Sequence, residues 1–330
     1  MGRHCTTVSI LLLLFAARAF GQPERPIRRP PNNELALETI EPTPRLDTPE
    51  AVPGLTARLV FHVSPLSGKG LLSQQVRDAL KALDKANGDA VFLKLRAFVA
   101  GTGDVRRIQS IVTEEFAAKK WPLPAITTIL VGALPLENAQ VVIESISEER
   151  KDSANPAGLV FVKAQPSVEQ VGKAMQAAGA VALRVSCFAD SLAAAEAARR
   201  AAEKAFPKAA GTFVQTTRAG IGNGVLCEGV GRLPSRSAAA GTPPIQRTAD
   251  AVLVRLPKLV FTGAQIAFAE QDAGGRLAYE RLQRAIQSVG GGEALFENRY
   301  SLAGLAGSLT IEGLPALDAN LAIEVVAAGR

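Results

Sequence analysis

The chain has 330 residues, 47% of them hydrophobic and 21% charged, so it can bury sizeable cores. This composition excludes intrinsic disorder, collagen-like repeats and a disulfide-dense miniprotein. A formal net charge of +6, with both signs interspersed and 5% aromatic residues, does not favour nucleic-acid binding. Two histidines in the whole chain exclude most histidine-built metal sites and Ser-His-Asp catalysis, and we predict no metal or other cofactor.

Residues 1–21 are typical of a cleaved signal peptide. Arg3 precedes an apolar run at residues 10–17, and the small residues Ala19 and Gly21 suit cleavage before Gln22. The run is much shorter than the ~20 residues needed to span a bilayer. We therefore predict a secreted or periplasmic protein, cleaved after Gly21, with no membrane insertion of the mature chain.

Two segments have the composition of linkers. Residues 22–56 are rich in proline and carry no sustained apolar period, which predicts a flexible or polyproline tether. Residues 235–249, rich in Ser, Ala, Gly and Pro, predict a second linker. Ordered structure is expected between and after these segments.

The ordered part contains one pattern three times, which predicts three tandem units at residues 57–150, 157–234 and 250–330. Each unit opens with Leu-Val-Phe, at residues 59–61, 159–161 and 259–261, which suits a strand. An amphipathic helix follows in each, and then a strand, at 91–98, 181–188 and, more weakly, 294–300. A second helix is predicted at 105–116 and 192–206, whereas the third unit has no room for one and continues into a strand at 308–312.

Every unit closes with a strand that holds one glutamate among apolar neighbours: Glu144, Glu228 and Glu324. A carboxylate on an apolar face costs free energy unless it is paired or borders a water-filled cleft, and its pKa tends to rise. The alternative is that each is a strand-end glutamate, exposed to solvent or paired with a lysine.

The first unit carries motifs at residues 75–80, 124–125, 134–135 and 143–146 that resemble the RidA family of reactive-intermediate imine and enamine deaminases. The other two units resemble it more loosely. The resemblance implies an α+β fold similar to chorismate mutase, in which each unit is a mostly antiparallel sheet backed by helices. It also implies trimers with ligand pockets in the clefts between subunits. Because the equivalent glutamate of the family lies in the pocket, the resemblance implies that Glu144, Glu228 and Glu324 are the candidate catalytic residues, with a general acid or base role.

Three such units on one chain predict a monomeric, intramolecular pseudo-trimer, because each sheet must bury its uncovered apolar face. Three independent domains, or a larger oligomer, are the alternatives. Small-molecule ligands are the expected partners, bound in the clefts between units.

Active members of the RidA family hold the substrate carboxylate with an arginine, and the resemblance places that position at Ile126, near Gly211 and at about Ala306. The resemblance therefore implies a small-ligand binder that has lost arginine-dependent deaminase activity. Two alternatives stay open: a diverged deaminase or hydrolase that uses the cleft glutamates, and a non-enzymatic interaction module of the cell envelope.

The mature chain keeps two cysteines, Cys187 and Cys227, each inside a predicted strand. An oxidising compartment would let them form a disulfide. Two separately buried thiols are the alternative, since strand adjacency is not visible in the sequence.

Overall fold

The computed structural model describes residues 48–55, 59–101, 105–150, 158–216, 224–234, 245–248, 250–254, 259–268 and 274–329. These residues belong to one compact unit, Arg45–Arg330. The predicted signal peptide, residues 22–47 of the predicted tether and residues 235–244 of the second linker lie outside the described part. No described helix has the length and apolarity that a membrane crossing requires.

The chain is α+β, with five helices and several mixed sheets in the described part. The elements up to residue 150 are β1 (Ala51–Leu55), β2 (Leu59–Val63), α1 (Leu72–Asn87), β3 (Val91–Ala100), α2 (Val105–Ala118), β4 (Ala125–Val131) and β5 (Val141–Glu148). Those from residue 158 to residue 234 are β6 (Gly158–Gln165), α3 (Val168–Ala177), β7 (Val181–Ala189), α4 (Leu192–Ala205), β8 (Ala210–Gln215) and β9 (Val225–Leu233). The remaining elements are β10 (Ile245–Arg247), β11 (Ala251–Val254), β12 (Leu259–Thr262), β13 (Gln265–Phe268), α5 (Arg276–Ser288), β14 (Gly291–Ser301), β15 (Leu309–Thr310) and β16 (Ala319–Gly329).

One order of strand pairing occurs in all three sheets. The first sheet is β2-β5-β3-β4, the second contains β6-β9-β7-β8, and the third contains β12-β16-β14-β15. In each, the last pair is parallel and the others are antiparallel. The second sheet adds β1 beside β6, and the third adds β10 and β11 beside β12 and β13 beside β16.

The helices form where the sequence predicts them, because their apolar residues recur at helical spacing and cover one face of a sheet. Val76, Leu80 and Leu83 of α1 pack with residues of α2 and of β3 in one buried cluster. Ser167 and Ser191 cap α3 and α4, since each hydroxyl accepts a hydrogen bond from the backbone N–H three residues ahead. As expected, the third sheet has a single helix among its described residues.

Three segments differ from the prediction. Ala51–Leu55, at the end of the segment predicted to be a tether, form β1 and pair with β6. Ile245–Arg247, inside the second predicted linker, form β10 and pair with β11. The strand predicted at 308–312 is shorter in the structure, where it covers only β15. Thr310 exchanges backbone hydrogen bonds with Gly132 and Ala133, in a loop of the first sheet. In each case pairing with another part of the chain decides the conformation, and local composition does not.

The cysteines form a disulfide, Cys187–Cys227, with a Cα–Cα distance of 4.1 Å. They face each other directly in the register of β7 and β9, and both are buried under α3 and α4. The bridge therefore ties the two central strands of the second sheet together.

The three sheets meet around a layer of aromatic rings on the faces opposite the helices. Phe98, Phe188 and Tyr300 occupy matching places on β3, β7 and β14, and each pairs with the matching residue of the adjacent strand. Their centroids are 6.5 Å, 6.3 Å and 6.3 Å apart, so the rings form a nearly equilateral triangle. The layer next to this triangle holds the charged residues described below.

Candidate functional site

The three predicted glutamates lie in one buried cluster. Glu144, Glu228 and Glu324 are 8%, 2% and 1% exposed. Each lies opposite a residue of the adjacent strand. Glu144 is opposite Arg96 of β3, Glu228 is opposite Ser186 of β7, and Glu324 is opposite Asn298 of β14. Because side chains alternate along a strand, these residues lie on the same faces as the aromatic triangle.

Three cations complete the cluster: Lys94 and Arg96 from β3, and Arg184 from β7. They are 4%, 4% and 7% exposed. Together with the glutamates they are the buried charged residues of the part of the chain that the structure describes. Sequence analysis missed all three, although the signal was present, since a lysine or arginine at alternate positions of an otherwise apolar strand shares one face with its neighbours.

Glu228 is the most strongly paired carboxylate. It accepts a hydrogen bond of 2.6 Å from Lys94 Nζ and a second from Arg96 Nη2. Lys94 also donates to Thr127 Oγ1 and to the carbonyl oxygen of Val162. Burial by itself would raise the pKa of the Glu228 carboxyl, yet Arg96 and Lys94 hold it well below its usual range. Glu228 is therefore an ionised structural partner and not a proton donor.

Glu324 accepts hydrogen bonds from residues of three sheets. Arg96 Nη1 donates at 3.2 Å, Tyr300 OH at 3.1 Å and Asn298 Nδ2 at 3.3 Å, and Thr212 Oγ1 donates to the other oxygen. Burial would raise the pKa of this carboxyl, but Arg184 and Arg96, followed by the hydrogen bond from Thr212, lower it overall. Glu324 is thus also held in its ionised form.

Glu144 has much weaker support. Its Oε2 is 3.5 Å from Arg96 Nη1, and no described residue donates a hydrogen bond to Oε1. Burial raises the pKa of this carboxyl to about 7. Arg96 lowers the pKa, while repulsion from Glu324 and Glu228 adds to the increase. Of the three predicted catalytic residues, Glu144 alone can exchange a proton near neutral pH.

Glu144 also lies between an internal cavity and a surface cleft. The central cavity has a volume of about 30 Å³. Its lining residues are Phe61, Lys94, Arg96, Glu144, Ile146, Arg184, Val230, Phe261, Phe296, Asn298, Glu324 and Val326. The surface cleft, here the Glu144 cleft, has a volume of about 360 Å³ and lies between the first and third sheets. Its lining residues are Val63, Ser64, Leu66, Phe98, Pro135, Val142, Glu144, Glu297, Asn298, Arg299, Gly307 and Leu309.

Two further clefts lie between the other pairs of sheets. The Ile126 cleft, about 260 Å³, has walls from α2 and β4 of the first sheet and from β6 and β9 of the second. The Phe213 cleft, about 620 Å³, has walls from α4 and β8 and from residues 263–266. Glu228 and Glu324 line neither of them. Of the three glutamates, only Glu144 lines one of these three clefts, because the other two turn towards the cations of neighbouring sheets.

Two of the three positions matched to the family arginine line a cleft. Ile126 lines the Ile126 cleft, Gly211 lines the Phe213 cleft, and Ala306 precedes Gly307 of the Glu144 cleft. Arg299 lines the Glu144 cleft from a different strand, β14, and stacks on the Tyr279 ring. Among the described residues, no group of His, Cys, Asp and Glu is arranged to hold a metal ion.

We expect Glu144→Gln to stabilise the protein at alkaline pH. The folded-state pKa of about 7 lies above the value near 4.5 expected on unfolding, so folding binds a proton between these values. Stability therefore falls as pH rises from about 4.5 through 7, by about 3 kcal/mol in total. Urea unfolding in chloride-free buffer at pH 5 and at pH 8.5 measures this fall of the unfolding free energy with pH. The fall should largely disappear in Glu144→Gln. The exposed Glu137→Gln is the control, and an unchanged fall in Glu144→Gln would contradict the assignment.

Comparisons with known proteins give partial likenesses. No protein-family profile matches the chain, and no curated protein matches it. Among solved structures, E. coli TdcF with bound serine matches at 19% identity over 32% of this chain and 92% of that chain, with a TM-score of 0.25. The YjgF gene product of E. coli matches at 21% identity over 32% and 93%, also at 0.25. Both are RidA-family proteins. The cyanuric acid hydrolase of A. caulinodans matches at 11% identity over 84% of this chain and 99% of that chain, with a TM-score of 0.38.

Proposed function

We propose that this protein is an exported, single-chain pseudo-trimer of RidA-like units that binds a small molecule in the Glu144 cleft and lacks arginine-dependent imine deaminase activity. The observation that carries the proposal is the position of Glu144. It is the one predicted catalytic residue that borders a cleft, and it keeps an oxygen without a described hydrogen-bond donor.

The pseudo-trimer is supported by three observations of the described residues. The order of strand pairing is the same in the three sheets, and the aromatic triangle has nearly equal sides. Backbone hydrogen bonds also join neighbouring sheets, from Gly132 N to Thr310 O and from Ala264 N to Gly211 O. Closure within one chain covers the sheet faces that separate subunits would otherwise have to cover.

Loss of the deaminase activity is supported by the residues at the matched positions. A planar guanidinium holds a carboxylate through two parallel hydrogen bonds. Neither the apolar side chain of Ile126 nor Gly211 nor Ala306 can supply them. Purified protein is accordingly expected not to accelerate release of the keto acid from imines of the 2-aminoacrylate type.

The Glu144 cleft is suited to a small molecule with one polar end. Its volume lies at the lower end of the ~300–1,000 Å³ range of ligand pockets. Val63, Leu66 and Leu309 give it apolar walls, while Glu144 and Asn298 give its inner end polar groups. A ligand that donates a hydrogen bond would find an acceptor at Glu144 Oε1.

Blocking the cleft is expected to abolish ligand binding without unfolding the protein. Val63 is 54% exposed and lines the cleft, so Val63→Trp should fill its mouth at little cost in stability. Val181, at the start of β7, is 50% exposed and lines none of the three clefts, so Val181→Trp is the matched control. The measurement is ligand-observed NMR with a library of small polar fragments. Fragments that bind both variants equally would place their site elsewhere.

General acid or base catalysis at Glu144 is the second candidate, since its pKa of about 7 suits proton transfer near neutral pH. Glu228 and Glu324 cannot share the task, because their neighbours keep them ionised. Each fragment that binds in the cleft can be incubated with the protein and assayed for chemical conversion. Conversion that persists in Glu144→Gln would exclude catalysis by Glu144.

A further inference from the structure

Arg184 is a buried cation without a hydrogen-bond acceptor. It is 7% exposed and lines the central cavity, and its described contact is with the Phe261 ring, whose centroid is 5.9 Å from the guanidinium carbon. No described residue places an acceptor within hydrogen-bond distance of its guanidinium. A buried guanidinium carries five N–H donors, and leaving them unsatisfied is costly. The Nε of Arg96, which also lines the cavity, lacks an acceptor as well.

The charge of the cluster depends on Glu144. When Glu144 is ionised, three carboxylates balance the charges of Lys94, Arg96 and Arg184. When Glu144 is protonated, the three cations outnumber the two remaining carboxylates by one, and a bound anion can balance that charge. Glu228 pairs with Lys94 and Arg96, and Glu324 pairs with Arg96. Arg184 attracts Glu324 but makes no described hydrogen bond to it, so the N–H donors of Arg184 are open to a further anion.

The cavity has the size of a single small guest. Its volume of about 30 Å³ exceeds the ~10–15 Å³ that a cavity needs to hold one water molecule. Phe61, Phe261 and Phe296 form apolar walls, and the charged residues lie at its polar side. A guanidinium is more weakly hydrated than an ammonium and suits an anion of low charge density.

We propose that the central cavity binds one monovalent anion of halide size, held by Arg184, and that this anion replaces the negative charge of Glu144. Entry of the anion and uptake of a proton by Glu144 then occur together, which keeps the buried cluster neutral. The site is separate from the Glu144 cleft, since its lining includes Arg184 and excludes the residues at the mouth of the cleft.

The pH dependence follows from the groups around Glu144. The cations are Lys94 and Arg96 on β3 and Arg184 on β7, and the carboxylates are Glu228 on β9 and Glu324 on β16. Strand β14 contributes Asn298 and Tyr300 on the same face, and Glu297 and Arg299 on its other face. Burial, followed by the charge of Glu324, raises the pKa of Tyr300 far above neutrality, and Glu228 and Glu324 stay ionised. Glu144 is thus the group that titrates near pH 7. Anion affinity should fall about tenfold for each pH unit above that value.

The test compares thermal unfolding in sodium chloride and in sodium gluconate at equal ionic strength, with gluconate as an anion too large for the cavity. Chloride should raise the melting temperature of the full chain at pH 5.5 and should have little effect at pH 8.5, where affinity is about 30-fold lower. Glu144→Gln imitates the protonated residue, so its chloride effect should persist at pH 8.5. Arg184→Gln should lose the effect at both pH values, whereas the exposed Arg200→Gln should retain it.

Glu144→Gln decides the outcome even if Arg184→Gln does not fold. The proposal is overturned if chloride and gluconate act equally on the full chain at pH 5.5, or if the chloride effect in Glu144→Gln vanishes at pH 8.5. Anomalous diffraction from crystals soaked in sodium bromide gives a direct measurement. A bromide peak beside Arg184 at pH 5.5 that weakens at pH 8.5 is expected, and an empty or water-filled cavity at pH 5.5 would contradict the proposal.

Discussion

Replacing Arg96 by methionine is expected to lower the free energy of unfolding by about 3 to 5 kcal/mol, the usual cost of removing one partner from a buried ion pair. Arg96 contacts Glu144, Glu228 and Glu324, and its side chain is 4% exposed. Its loss leaves buried carboxylates with less compensating charge in a poorly solvated site. Urea unfolding at neutral pH measures the effect.

The chain offers a matched control in Arg199 on α4. Arg199 also contacts two glutamates, Glu196 and Glu203, but its side chain is 37% exposed. Solvent screens this pair of contacts, so Arg199→Met should cost less than about 1 kcal/mol. Equal losses in Arg96→Met and Arg199→Met would mean that burial does not set the energy of the central cluster.

Removal of the disulfide is expected to cost about 4 kcal/mol. Cys187 and Cys227 are 40 residues apart in sequence, and a crosslink of that span restricts the unfolded chain by about this amount in the chain-entropy account. The double variant Cys187→Ala/Cys227→Ala should therefore show a large drop in the urea midpoint under non-reducing conditions.

Reductant provides the control for the disulfide experiment. Reductant can reach the buried bridge when the chain unfolds, so it should lower the urea midpoint of the native chain. It should not change the urea midpoint of the double variant. A double variant that loses less than about 1 kcal/mol would show that the second sheet holds β7 and β9 together without the bridge.

Much of the local structure could be predicted because it follows from side-chain periodicity. The helical spacing of Val76, Leu80 and Leu83 predicts α1, and the apolar runs at 91–98 and 181–188 predict β3 and β7. β1 and β10 do not follow from local composition, because proline-rich and polar segments become strands only when another strand offers a free edge. The same dependence on neighbours shortens β15.

The site was predicted in part. The recurrence of one glutamate on the closing strand of each unit, together with the resemblance to the RidA family, predicts the three glutamates. Lys94, Arg96 and Arg184 show the same signal, a charged residue on an otherwise apolar strand. Their partners lie up to 228 residues away, as in the contact between Arg96 and Glu324. No local pattern contains such a pairing, so the roles of the three glutamates could not be separated before the sheets were placed.

The sequence by itself determined the helices, the long strands and the glutamate-bearing strand at the end of each of the three segments, because these depend on the alternation of apolar and polar residues along the chain. Only the tertiary structure decided which carboxyl is free to titrate. The three glutamates occupy equivalent strand positions, but their pKa values depend on the charges that other sheets bring within a few ångströms. Arg96 and Lys94 hold Glu228, while hydrogen bonds from Thr212, Asn298 and Tyr300 help to hold Glu324, and Glu144 receives the weakest support.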